Sequence, residues 1–117
     1  MYAGPAWDFD WSTYRSPARP FTIGNAMYFG ELLKKPDFKA MVKQRWEVLK
    51  QEFSTIDTYI DAKAEEIRLS DAVNSKMWPC LISYNGDNYL SFQQAVKLMK
   101  YNIKAHIDAL DAKVEAL

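Results

Sequence analysis

Residues 91–117 read SFQQAVKLMKYNIKAHIDALDAKVEAL, and this stretch decides the fold. Phe92, Val96, Met99, Ile103, Ile107, Leu110, Val114 and Leu117 recur at steps of four, three, four, four, three, four and three. On an α-helix that spacing gathers them into one apolar stripe. Ser91 can cap the helix start, and Gln94 completes a capping box. The stripe is close to heptad spacing, so its expected partner is another long helix running roughly antiparallel to it.

The expected partner lies upstream. Ser54 and Asp57 resemble a capping box with Asp in place of Glu. Behind them Ile56, Tyr59, Ile60, Ala64 and Ile67, then less regularly Val73 and Met77, mark a helix that Trp78-Pro79 stops. Its length of about 24 residues gives ~36 Å, with a kink expected near Leu69 to Asp71. Residues 36–53 also read as a helix. Pro36 and Asp37 suit its first turn, and Phe38, Met41, Val42, Trp46, Leu49 and Phe53 form its stripe. Lys39, Lys43, Gln44, Glu47 and Lys50 fall mainly on its other side. Residues 22–35 suggest a short helix, weakened by Gly24 and Gly30. Asn85-Gly86-Asp87 is turn chemistry inside the connection 79–90.

Residues 1–21 differ in kind. Pro5, Pro17 and Pro20 break any helix, and Trp7, Phe9, Trp11 and Tyr14 alternate with polar residues. The period of two at Trp7, Phe9 and Trp11 allows a short strand with Asp8 and Asp10 on its other face. The expected architecture is mainly all-α, one domain over 1–117. An irregular or extended aromatic arm (1–21) precedes a helical bundle (22–117) with two long, roughly antiparallel helices.

Composition narrows the function classes. The 117 residues carry 15 Lys plus Arg against 15 Asp plus Glu, a net charge of zero. Neither a basic excess nor a basic stripe marks a nucleic-acid or anionic-membrane partner. No apolar run approaches the ~18 residues of a membrane-spanning helix. The single Cys80 and single His106 rule out an internal disulfide and a His-rich metal site. His106 adjoins Ile103 and Ile107 on the last helix, and the sequence around it offers no catalytic nucleophile, so it reads as a packing or rim residue. Cys80 reads as structural. Glu65, Glu66 and Arg68 read as a solvated face.

Asp8 and Asp10 are the one acidic pair to single out. Two carboxylates two apart in an extended segment face the same way and can share a divalent cation such as Mg²⁺, which prefers carboxylate oxygens beside phosphate and water. The plainer reading of the spacing is two exposed aspartates in a loop.

Gly4-Pro5-Ala6-Trp7-Asp8-Phe9-Asp10-Trp11 resembles the Gly-Pro-x-Trp-Asp-x-Asp motif of the spore coat protein H (CotH) kinase-like family. Tyr28-Phe29-Gly30-Glu31-Leu32-Leu33, Pro36-Asp37-Phe38, Val42-Lys43-Gln44-Arg45-Trp46 and Met77-Trp78-Pro79 are similar to that family's C-terminal helical region. Residues 80–117 agree only in character, as a closing helix. The resemblance implies a secreted or spore- or cell-surface-associated atypical protein kinase, with Mg²⁺ and ATP as its cofactors. It makes Asp8 the first metal ligand and Asp10 the second. The chain starts at the motif, so the resemblance also implies a C-terminal fragment of a larger bacterial protein. In that reading the nucleotide-binding lobe lies upstream and is the natural partner.

Two expectations follow. As a CotH-like C-terminal segment, the chain contributes a metal-binding Asp motif but holds no catalytic residue of its own and needs no cofactor in isolation. With Trp7, Phe9, Trp11 and Tyr14 uncovered, the isolated chain is then expected to self-associate as a two-fold dimer. The alternative is a free-standing helical protein–protein interaction module without catalytic activity.

Overall fold

The computed structural model describes residues 28–79 and 90–117. Helix takes up 85% of these and strand none. The elements are α1 (Phe29–Leu32), α2 (Pro36–Phe53), α3 (Ile56–Met77) and α4 (Phe92–Glu115). The arm 1–21, with Asp8, Asp10 and its four aromatics, lies outside the described residues. So do Cys80 and the Asn85–Asp87 turn.

Local chemistry accounts for most of the boundaries. Pro36 opens α2 in the first turn, where its missing N–H costs nothing, and Lys35 before it is extended. At α4 both halves of the capping box form. Gln94 N–H donates to Ser91 Oγ at 3.3 Å, and Ser91 N–H donates to Gln94 Oε1 at 2.8 Å. The box expected at Ser54 and Asp57 does not form. Thr55 is the N-cap of α3 and makes no side-chain cap bond. The hydroxyls of Ser54 and Thr55 instead donate backwards, to the carbonyls of Gln51 and Glu52. Ser54 and Thr55 keep right-handed helical backbone angles, so two residues interrupt the hydrogen-bond ladder without reversing the chain. The short helix expected over 22–35 is confined, among the described residues, to the single turn of α1. α3 runs unbroken through Leu69–Asp71, where a kink was expected.

The packing departs from a simple pairing of the two longest helices. Lys43 Nζ reaches the carbonyl of Glu115, and Trp46 and Lys50 reach Asp111. Phe53 and Ile56 share a cleft with Lys104 and Ile107. Asp61 meets Lys100, and Ala64 and Ile67 sit across from Phe92 and Val96. Residue numbers rise along α2 and α3 while they fall along α4. Thus α2 and α3 lie one after the other along α4, which backs both. The stretch 54–78 is the partner of only the N-terminal half of α4, because α2 takes the C-terminal half.

The stripe of α4 turns inward as its period requires: Val114 is buried, and the other seven members are half-buried. Trp46, Ile60 and Val114 are the buried apolar residues of the described part. Trp46 packs on Phe53, seven positions on and so on the same face, with ring centroids 6.1 Å apart.

Candidate interaction surface

The two halves of the α4 contact are held differently. At the α2 end, Asp111 accepts two hydrogen bonds on one oxygen, from Trp46 Nε1–H at 2.7 Å and from Lys50 Nζ at 2.8 Å. The Lys50 ammonium, then the indole N–H, hold the Asp111 carboxyl below its ordinary range. In return the Asp111 hydrogen bond raises Lys50 above the ordinary lysine value. Lys43 and Lys50, read from sequence as lying away from the packed face, are the residues that bridge to α4. Their long stems carry a charge across a contact that the apolar period does not register.

At the α3 end, Lys100 spans to both oxygens of Asp61, at 2.9 and 2.7 Å, which raises the lysine. Clefts open on the two sides of this contact. One, of about 280 Å³, is lined by Ile56, Tyr59, Ile60, Ile67, Met99 and Ile103 among others. The second, of about 380 Å³, carries Arg68, Lys97 and Lys100 with Asp61 and Glu65 over Ala64, Phe92 and Val96. Arg68 is paired with Glu65 and Lys100 with Asp61, so charge in this cleft is largely internally compensated.

Beyond Arg68, α3 continues past the start of α4. Leu69, Val73, Met77 and Trp78 are exposed by 67%, 59%, 63% and 71%. Nine residues is two and a half turns, so Leu69 points away from Ile60 and the α4 contact. Val73 and Met77 follow at four-residue steps on that outer side. Tyr59, an expected stripe member, is exposed as well, as is Met41 on α2. Exposed apolar residues scattered singly are ordinary, whereas Leu69, Val73 and Met77 follow one another along one side of the helix.

Among the described residues no group of three His, Cys, Asp or Glu side chains could hold a metal ion. His106 is half-buried on α4. Glu65, Glu66 and Arg68 are exposed, as expected of a solvated face, with Glu66 held by Lys63 at 2.6 Å and Arg68 by Glu65 at 3.0 Å. No helix among the described residues is long and apolar enough to cross a membrane. The sequence reading missed the outer row Leu69–Val73–Met77 as a surface. Its signal was present in the irregularity of the α3 stripe after Ile67, where apolar residues leave the period of the face that packs on α4. No family model matches the chain, and neither does any curated protein or solved structure.

Proposed function

We propose that the chain is a non-catalytic helical module that works by contact with other protein surfaces, as the C-terminal helical segment of a CotH-like atypical protein kinase. The observation that supports the contact role is the uncovered end of α3, with Leu69, Val73, Met77 and Trp78 all exposed. A helix apolar on more than one side needs more than one neighbour, and α4 supplies one. The run Gly4 to Trp11 supports the kinase-like parent. In it Asp8, with Asp10, would hold Mg²⁺ against ATP phosphates cradled by an upstream lobe, on a secreted or spore- or cell-surface-associated protein.

The alternative is a free-standing interaction module. It is favoured by the closure of the described helices on themselves, since α4 finds its partners in α2 and α3. The gene discriminates the two readings: an upstream reading frame encoding a nucleotide-binding lobe carries the first, and a true start at Met1 carries the second. Hydrogen exchange tests the contact role directly. Backbone amides of 69–78 should exchange faster in the isolated chain than in the parent or partner complex. Equal exchange in both would remove the support that this surface gives.

A further inference from the structure

We infer that the outer side of the α3 end binds a second copy of this chain, antiparallel about a two-fold axis, an inference that rests on the contact role proposed above. The argument is self-complementarity. A two-fold contact must match one patch to itself, so that each feature at one end meets its counterpart at the other. Glu65 and Lys76 bracket Leu69 and Val73 on α3. Their eleven-residue separation is close to three turns, which puts both charges on one line beside the apolar row, roughly 16 Å apart. Reversing a second copy over this segment sets Glu65 against Lys76 of that copy, twice by symmetry. It also sets Leu69 beside Val73 of the second copy.

The parts are available for this pairing. Leu69 and Val73 are both more than half exposed, and α4 does not cover their side of the helix. Among the described residues, Glu65 is exposed and tied only to Arg68 one turn on, while Lys76 is exposed and makes no ion pair. A parallel pairing would instead oppose Glu65 to Glu65 and Lys76 to Lys76, so charge selects the antiparallel arrangement.

Sedimentation equilibrium of the whole chain, with its charge-reversed variants, tests the inference. The wild type should be a concentration-dependent dimer. Glu65→Lys and Lys76→Glu should each weaken it about tenfold or more, since each turns two attractive pairs into repulsive ones. Mixing these two variants should restore association as a heterodimer, and so should combining them in one chain. Leu69→Asp should leave a monomer with unchanged helicity, because the site is exposed in the isolated chain. A monomeric wild type, or a mixture that fails to associate when both variants are folded, overturns the inference. The contact role is read out separately, by the hydrogen exchange of 69–78 with and without the parent lobe or partner. Protection there in a monomeric chain would assign the surface to a different protein and not to a second copy.

Discussion

Trp46 and Asp111, 65 positions apart, are joined by one hydrogen bond of 2.7 Å from the indole N–H to Oδ1. The bond fastens α2 to the C-terminal part of α4 at the most buried position of α2. Trp46→Ala should cost about 3–5 kcal/mol, because it empties a packed site beside Phe53 as well as removing the donor. Trp46→Phe keeps an aromatic ring and loses the donor, so about 1 kcal/mol is expected. Urea unfolding followed by circular dichroism measures both. Equal losses for the two variants would show that the hydrogen bond, and not the ring, dominates.

The same carboxylate makes stability depend on pH in a stated direction. Asp111 is held below the ordinary carboxylate range by Lys50 and Trp46. Its contribution is therefore complete above that range and is lost as pH falls through its lower folded value. Lys50 is raised by Asp111, and Lys100 by Asp61. Their contributions are complete below the ordinary lysine value and disappear as pH climbs through the raised ones. Thermal midpoints should thus fall at both extremes. Asp111→Asn should flatten the acid limb and reduce the alkaline one, leaving the Lys100 part. An unchanged acid limb in Asp111→Asn would assign it to other carboxylates.

Exposure separates two isoleucines that periodicity treats alike. Ile60 is 7% exposed and Ile67 48%. Ile60→Ala should cost about 2–5 kcal/mol, whereas Ile67→Ala should stay below about 1 kcal/mol. Ile103, half-buried against α3, should fall between them. Chemical denaturation of the three variants gives the order, and an Ile67 loss as large as that of Ile60 would mean that its exposed side is covered in solution.

What could be read from the sequence was what one helix decides by itself. The α4 stripe and its Ser91–Gln94 box need only period and local hydrogen bonding, and both formed. The start of α2 at Pro36 was legible for the same reason. The Ser54–Asp57 box failed because Ser54 and Thr55 had a competing local option, the carbonyls of Gln51 and Glu52, which a continuing chain direction keeps within reach. The division of α4 between α2 and α3 was illegible, since a stripe states which face is apolar and not which neighbour covers it. The candidate metal residues Asp8 and Asp10, and the aromatics Trp7, Phe9, Trp11 and Tyr14, lie outside the described residues. Their roles rest on the motif alone.

Phosphate transfer separates the proposed functions most sharply. The reaction requires a cationic cradle for the phosphates, a metal held by more than one group and an oriented acceptor. Among the described residues, the lysines that reach between helices are already engaged: Lys43 donates to the Glu115 carbonyl, Lys50 holds Asp111 and Lys100 holds Asp61. Asp8 and Asp10 alone would bind Mg²⁺ weakly, because that ion gives up water reluctantly and takes substrate phosphates as co-ligands. Residues 1–117 alone should therefore transfer no phosphate from radiolabelled ATP. In a kinase-like parent the expectation reverses, and Asp8→Ala should abolish transfer while leaving the helical spectrum intact. Mg²⁺-dependent transfer by residues 1–117 would overturn the non-catalytic reading. An active Asp8→Ala parent would instead move the metal ligand to another residue and leave that reading standing.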